Sequence, residues 1–468
     1  MHNTPPTEAT GEPVKTTQRS ARRRTALPRH PLLRTYALRL RQDVAAAYAR
    51  DLRKWLAIAP VIGALTGLII TALVAIILDR MWPPILRFYL RHSWAMVPGL
   101  VLGCATAGLI MQYLTPDPNE HSTEEIIRSY HEREGAVNMK PYWPKLLAAI
   151  ATVGWGGSAA LEGPSIYGGG AIGSWLWQRL QTMRRLRLNA RDRRIMLICG
   201  AAAGMSAVFR APLTGIVFSL EMPYKDDLAH EALLPSLIAS VVSFMTLSLF
   251  LGSAPLFDFA AEPSFTRRDL LWCALLGLAI GLAGMAFVTI FRRVRGLFVH
   301  WRAPHWLKLS LGGGLTALCG EAFVHLYNGP LTPLGPNYEA VGLILQHPHS
   351  SAELVLFGIF KLAATIFTLG AGGVSAMFVP LFLTGGSFGV AFAQSIAHSS
   401  SPALYAAVGM ASFIAAGYKT PLAAVVFVAE ATGGHAFIIP SLIGTAVAYA
   451  ISGDASASGD QRLHESGT

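Results

Sequence analysis

The sequence is poor in charged residues and in cysteine. Only 14% of its 468 residues are charged, 52% are hydrophobic, and the mean hydropathy is +0.43. Because a soluble domain carries about 25% charged residues, this chain cannot cover itself with a water-compatible surface. Its four cysteines lie far apart in apolar runs, without Cys-x-x-Cys or Cys/His spacing, so neither a disulfide framework nor a metal site is predicted.

Long apolar stretches are abundant. About 20 apolar residues are needed for a helix to cross the hydrocarbon core. Stretches that approach this length are 55–79, 93–113, 231–251, 270–291, 352–369, 403–428 and 436–451. Others are interrupted by Gly or Pro and fit better as half-helices shielded by protein, namely 142–155, 163–177, 195–220 and 376–397. The predicted fold class is an all-α polytopic membrane protein.

Basic residues are concentrated before the first apolar stretch. The formal net charge is +11, and the segment 22–54 is rich in Arg and Lys. A span follows immediately, so the positive-inside rule favours a cytoplasmic membrane flank over a nucleic-acid partner. We expect a multi-pass protein of the inner (plasma) membrane with a cytoplasmic N-terminus.

The composition along the chain predicts two membrane halves between polar tails. We expect a disordered basic tail at 1–30, a first half at 31–253, a connector at 254–265, a second half at 266–452 and a short tail at 453–468. Within the first half, residues 32–52 resemble an amphipathic helix at the interface. The last tail is Gly-, Ser- and Asp-rich, and we expect no appended C-terminal domain.

The two halves contain related segments. Residues 156–173 read GGSAALEGPSIYGGGAIG and residues 372–389 read GGVSAMFVPLFLTGGSFG, with Gly and Pro at matching positions. A second related pair, 200–221 and 409–430, follows at a similar distance. Duplicated apolar halves interrupted at corresponding positions are typical of transport proteins whose solute site lies near the middle of the bilayer.

Glu162 is the most informative side chain, because an ionisable residue at membrane depth is a functional candidate. Gly163 and Pro164 follow it and mark a helix N-terminus, where free N–H groups can bind an anion. Glu162 could itself fill this site and leave when a solute anion or a proton arrives. Alternatively, it is an ordinary N-terminal acid worth ~0.3–1 kcal/mol.

The second copy offers a matching helix start with apolar side chains. Here Phe378 occupies the position of Glu162, so only the backbone N–H groups of Met377 and Phe378 could contact an anion. A hydrophobic contact at the helix entrance is the alternative explanation.

The run Gly385-Gly-Ser-Phe-Gly389 matches a hydrolase nucleophile motif. That motif needs a strand-to-helix turn, and its repeat partner has Ala where Ser387 stands. Small residues for close helix packing explain both copies, and an intramembrane hydrolase is a remote alternative.

The glycine-rich runs resemble a known family. Residues 157–165 (GSAALEGPS) are similar to the G-x-x-x-G-[RK]-E-G-P signature of the CLC chloride channels and proton/chloride antiporters, and 209–215 and 417–422 resemble its paired short helices. The resemblance implies a CLC-type fold with two inverted halves, one anion pathway per subunit and a homodimer formed through helices near 211–250 and 420–451. It also implies that Glu162 gates an anion held by the amides of Gly163, Met377 and Phe378.

The chain departs from that family at both inner filter positions. The first filter motif has its best match at 120–125, which places His121 and Ser122 where an ion-binding serine is expected, without the motif's glycines and proline. His121 could bind an anion when protonated or be a loop histidine. Ser458 stands where the family has its central tyrosine, so the resemblance implies an inner pathway that lacks an aromatic ring and is wider and wetter.

The position of the family's inner proton acceptor is occupied by Met222, which cannot titrate. Glu221 is adjacent, but its repeat mate Glu430 has the same position, which favours a shared structural role for the two acids over proton loading.

These features favour a glutamate-gated channel for chloride or a similar small anion. The alternative is a proton-coupled anion antiporter of the same family. The expected partners are small anions, protons, the lipid bilayer and a second copy of the chain. No cofactor and no enzymatic activity are expected, and the sequence leaves the preferred anion open.

Overall fold

The computed structural model describes residues 31–119, 122–183, 186, 188–254, 256–257, 265–327, 329–454 and 456–463, with side chains from residue 51 onward except that of Ser122. The chain divides into two units, 1–53 and 54–468. The described backbone of the first unit is helical throughout. The predicted tail at 1–30 and most of the predicted connector lie outside the described residues.

Regular structure in the described residues is helical. The helices before the connector are α1 Pro31–Val74, α2 Trp82–Arg91, α3 Met96–Leu114, α4 Ser122–Glu132, α5 Tyr142–Gly154, α6 Glu162–Leu180, α7 Ala190–Phe209, α8 Pro212–Glu221 and α9 Leu233–Leu251. Those after it are α10 Arg267–His300, α11 His305–Leu326, α12 Ala340–Gln346, α13 Ser351–Gly370, α14 Phe378–Phe392, α15 Pro402–Tyr418, α16 Pro421–Thr432 and α17 Ile438–Ile451. The all-α prediction is confirmed.

Seven helical stretches among the described residues are long and apolar enough to cross a membrane. They are Asp51–Arg91, Ser93–Leu114, His230–Leu251, Arg267–His300, His305–Leu326, Ser351–Gly370 and Phe378–Ala397. The sequence prediction missed His305–Leu326. This stretch has the lowest mean hydropathy of the set, 1.2, because it carries Lys308 and three consecutive glycines. Those glycines permit close packing: a Cβ on Gly313 would lie 2.8 Å from the Leu100 carbonyl oxygen on α3.

The predicted continuous span at 403–428 is wrong, because the helix breaks between α15 and α16. Lys419 adopts the left-handed conformation with φ 60°, and Pro421 starts the next helix. The first half breaks in the same way, with Arg210 at φ 53° and Pro212 opening α8. Proline has no N–H to continue the ladder, and the residue before it avoids the α region. The repeat therefore builds two short helix pairs with equivalent breaks.

Matching glycines bring α6 against α7 and α14 against α15. A Cβ on Gly169 would lie 1.9 Å from the Gly200 carbonyl oxygen, and one on Gly385 would lie 2.2 Å from the Gly409 carbonyl oxygen. These distances leave room for glycine alone. Ser387 lies two residues further along α14, is buried, and its hydroxyl donates to the Thr384 carbonyl oxygen at 2.9 Å. Helix packing accounts for the glycine-rich run of the hydrolase-like motif.

Candidate anion site

The two duplicated segments meet at the starts of α6 and α14. The Ala160 N–H donates to the Ala376 carbonyl oxygen at 2.9 Å, and the Ala376 N–H donates back to the Ala160 carbonyl oxygen at 3.3 Å. The Ser375 hydroxyl donates to the same Ala160 oxygen. This antiparallel pair fixes the two helix N-termini side by side, with their free N–H groups at one place.

Glu162 connects the two halves. Its Oε1 accepts a hydrogen bond from the Phe378 N–H at 2.6 Å. Its Oε2 is buried and has no hydrogen-bond partner among the described residues, and the whole residue is 1% exposed. The carboxyl group from the start of α6 therefore binds a free N–H at the start of α14, a position that favours a negatively charged group.

Gly163 and Met377 complete the convergence of backbone at this point. A Cβ on Gly163 would lie 2.9 Å from the Ser375 carbonyl carbon, so a side chain there would push the two segments apart. The Met377 N–H donates to the Tyr418 hydroxyl at 2.9 Å. The structure thus brings together Glu162, Gly163, Met377 and Phe378, and the implied binding of an anion by their amides stays a prediction.

Tyr418 is a site residue that the sequence analysis missed. It is the last residue of α15, and its hydroxyl lies beside the Glu162 carboxyl as well as accepting from Met377. Tyr418 thus places an aromatic ring from α15 beside Glu162, while the expectation that position 458 contributes no ring to the inner pathway stays a prediction. Tyr418 directly precedes the helix break at Lys419, just as Phe209 precedes the break at Arg210, but this position alone does not indicate a contact with Glu162.

Aromatic rings surround the start of α14, where Phe378 is fully buried. The Phe378 ring centroid lies 5.1 Å from that of Phe209, 5.6 Å from Phe218, 6.0 Å from Tyr418 and 4.9 Å from Phe427. Electrostatic attraction between an anion and backbone N–H groups is stronger in such a low-dielectric environment than in water.

A cavity of about 40 Å³ lies on the Tyr418 side of the site. We call it the mouth cavity. Its lining includes Glu124, Arg295, Ser375, Met377, Tyr418 and Ser458. Ser458, predicted to contact the ion, is 5% exposed in this lining, and its N–H donates to the Ser456 hydroxyl at 3.2 Å.

Gln461 holds the C-terminal loop that carries Ser458. Its Nε2 donates to the carbonyl oxygens of Met222 at 3.1 Å, Tyr224 at 3.3 Å and Tyr418 at 3.1 Å. The Ala457 N–H donates to the Gly417 carbonyl oxygen at 2.8 Å. The loop is thereby tied to the end of α15 and to the segment after α8.

Glu221 and Glu430 have reciprocal contacts. Glu221 ends α8 and accepts from the N–H groups of Leu422 at 3.0 Å and Ala423 at 2.7 Å, in the first turn of α16. Glu430 lies near the end of α16 and accepts from the N–H groups of Leu213 at 2.9 Å and Thr214 at 2.8 Å, in the first turn of α8. Each acid therefore satisfies free N–H groups of the other copy, where a negative charge is favoured by the helix dipole.

The remaining predicted positions lie elsewhere. Met222 is buried directly after α8 and contributes its carbonyl oxygen to Gln461. The side chains of His121 and Ser122 are outside the described residues, although Ser122 begins α4. Within the described part of the chain, no group of three or more His, Cys, Asp or Glu residues is placed to hold a metal ion.

Comparisons with known proteins agree with this architecture. The H(+)/Cl(-) exchange transporter ClcA of Yersinia pestis is 29% identical over 327 residues, which are 67% of this chain and 66% of the relative. An uncharacterised protein of Methanocaldococcus jannaschii is 26% identical over 401 residues, 85% of this chain and 92% of the relative. A Ralstonia nicotianae protein with the provisional name chloride channel protein ClcB-like is 25% identical over 366 residues, 76% and 82% of the two chains.

Solved structures share the fold. A CLC-type fluoride/proton antiporter matches with a TM-score of 0.72 at 21% identity, covering 86% of this chain and 96% of that one. A slow cyanobacterial Cl-/H+ antiporter also matches with a TM-score of 0.72, at 22% identity and with 85% and 94% coverage. The sequence matches the voltage gated chloride channel family over residues 103–453. This chain therefore belongs to the CLC family of anion-transporting membrane proteins.

Proposed function

We propose that this protein is a proton-coupled antiporter for chloride or a similar small anion. The observation that carries the proposal is the hydrogen bond from the Phe378 N–H to Glu162 Oε1 at 2.6 Å, with the second carboxyl oxygen buried beside the Tyr418 hydroxyl. The carboxylate and a solute anion would compete for the same N–H group. An anion can enter only when Glu162 leaves or takes a proton, and that exclusion couples the two substrates.

The sequence favoured a channel over an antiporter, and the relatives reverse that preference. ClcA, whose name describes proton/chloride exchange, is 29% identical to this chain. The argument for a channel was the absence of a titratable side chain at Met222 and of an aromatic ring on the inner side. In the proposed antiporter, Tyr418, which is hydrogen-bonded to the Met377 N–H, would take the place of that ring. A proton could reach Tyr418, which lies beside Glu162, through water in the mouth cavity, whose volume of about 40 Å³ exceeds the roughly 10–15 Å³ that a cavity needs to hold one water.

Backbone amides, rather than a full positive charge, would hold the anion. Desolvation of the ion is offset by N–H groups and helix dipoles, and binding by partial charges alone allows the ion to leave as well as to enter. We propose that the mouth cavity opens towards the cytoplasm and that two copies of the chain form a homodimer with one pathway each.

The experiment is a flux measurement on the purified full chain in liposomes. An outward chloride gradient should drive protons into the liposomes against a pH gradient, at a fixed ratio to chloride efflux. Glu162→Gln should keep anion flux and abolish proton movement. Glu132→Gln, at a side chain 58% exposed, is the matched control and should behave as wild type. Chloride efflux without any proton movement in the wild type would contradict the antiporter proposal and support a channel.

A further inference from the structure

A charged pair lines the mouth cavity, although the amides of the anion site need no cation. Arg295 on α10 donates from Nη1 to Glu124 Oε1 at 2.6 Å and from Nη2 to Oε2 at 2.7 Å. The side chains are 24% and 12% exposed. A guanidinium and a carboxylate paired in this fork geometry form one of the strongest hydrogen-bonded arrangements in proteins.

The Arg295–Glu124 pair lies next to the proposed anion site. Arg295 and Glu124 share the cavity wall with Met377 and Tyr418, which are hydrogen-bonded to each other at 2.9 Å. An ion that passes from the Phe378 amide to the Tyr418 side therefore enters a space bordered by one positive and one negative side chain. In a small cavity with low-dielectric walls, such charges act on the ion with little screening.

Glu124 and a solute anion would compete for the same hydrogen-bond donors of Arg295, because the Glu124 carboxylate occupies the donors that the anion would use. While the pair is closed its charges largely cancel, so the cavity neither attracts nor holds an anion strongly. When an anion approaches, it offers Arg295 an alternative partner, and the bond to Glu124 weakens.

We propose that Arg295 recruits the transported anion into the mouth cavity and that Glu124 limits how tightly the anion is held there. The two residues together set the apparent anion affinity from this side. The inference rests on the anion pathway of the proposed function, and it is independent of proton coupling.

The test is the effect of removing each charge singly. Glu124→Gln removes the negative charge beside Arg295 and should lower the chloride concentration for half-maximal flux about tenfold. Arg295→Gln removes the positive charge and keeps the carboxylate, so it should raise that concentration about tenfold. Both values are the lower end of what electrostatic focusing in a cleft produces. The opposite signs are decisive. If the pair only braces α4 against α10, both variants lose the same contact, and both should change flux and thermal stability in the same direction.

Two controls keep the outcome interpretable. The double variant Glu124→Gln/Arg295→Gln is neutral like the wild type, and its half-maximal concentration should return to within about twofold of the wild-type value. Arg128 on α4 forms a similar pair with Asp460 at 3.0 Å, with side chains 35% and 31% exposed. Arg128→Gln and Asp460→Asn should not produce shifts of opposite sign.

Anion flux by the wild-type protein distinguishes a failure of the Arg295–Glu124 role from a failure of the anion pathway. Wild-type protein that moves neither chloride, bromide, nitrate nor fluoride would contradict the anion pathway itself. Wild-type flux combined with same-sign or absent shifts in the two single variants would overturn the role of Arg295 and Glu124 alone. If a Gln variant does not fold, Glu124→Ala or Arg295→Ala removes the same charge, and the same opposite-sign and same-sign outcomes apply.

Discussion

Replacing Glu162 by Gln removes the competing charge while preserving the shape of the side chain. In the wild type, the Phe378 N–H donates to a carboxyl oxygen at 2.6 Å. A bound anion must displace that oxygen before it can use the same N–H. Gln can still accept through its amide oxygen, but it does so as a neutral group.

The size of the effect follows from the difference between the two hydrogen bonds. A hydrogen bond to a charged group contributes about 1.5–3 kcal/mol and one between neutral groups about 0.5–1.5 kcal/mol, so the competitor weakens by about 1–1.5 kcal/mol. Since 1.4 kcal/mol corresponds to about a factor of ten, the anion should bind roughly tenfold more tightly to the variant.

Isothermal titration of the detergent-solubilised protein with chloride or bromide measures this affinity directly. Parallel flux measurements between pH 5 and 8 should show a pH dependence in the wild type that is absent from Glu162→Gln, because the variant has no proton to take up. Equal affinity in the two proteins, together with an unchanged pH profile, would refute competition at the Phe378 amide.

Three further predictions concern stability and packing. Glu430→Gln should lower the free energy of unfolding by about 1–3 kcal/mol, because a charged acceptor of two N–H groups is lost, and thermal unfolding against Glu132→Gln measures this. Gly385→Ala should lower the unfolding temperature strongly, since its Cβ would lie 2.2 Å from a carbonyl oxygen of α15, whereas Gly296→Ala, with open space around the Cβ, should not. Gly163→Ala should reduce anion flux by about tenfold or more, because small displacements of a binding geometry have large effects; full flux would show that the close approach is dispensable.

The convergence of the two halves was predictable from the sequence because its causes are local. Glycine and proline at matching positions interrupt the helices, and an acid without an equivalent in the second copy indicates a specialised position. Glu162 against Phe378 is such a position, and the structure joins these two residues directly. Local signals of this kind can be read from the sequence without any knowledge of packing.

Tyr418 could not be found in this way because its role depends on tertiary contacts. A buried tyrosine at a helix end is ordinary, and only the approach of α14 brings its hydroxyl to the Met377 N–H. The reciprocal contacts of Glu221 and Glu430 have the same limitation. The sequence showed that the acids are equivalent, but it did not show that each reaches the first turn of the opposite copy.

The helix boundaries were mispredicted where composition and chain geometry disagree. Residues 403–428 are apolar enough for one span, yet Lys419 turns left-handed before Pro421 and ends the helix. Conversely, α11 contains polar and glycine residues that conceal its length, because its glycine face packs against α3 rather than lipid.

In the proposed mechanism, an anion and the Glu162 carboxylate occupy the same place at the start of α14. Anomalous diffraction from bromide-soaked crystals of wild-type and Glu162→Gln protein tests it directly. We predict a bromide peak within hydrogen-bond distance of the Phe378 nitrogen in the variant, at the position that the carboxyl group fills in the wild type. Competition for the Phe378 N–H would be refuted by a bromide peak at that nitrogen in the wild type with Glu162 still bound there, or by no peak there in the variant.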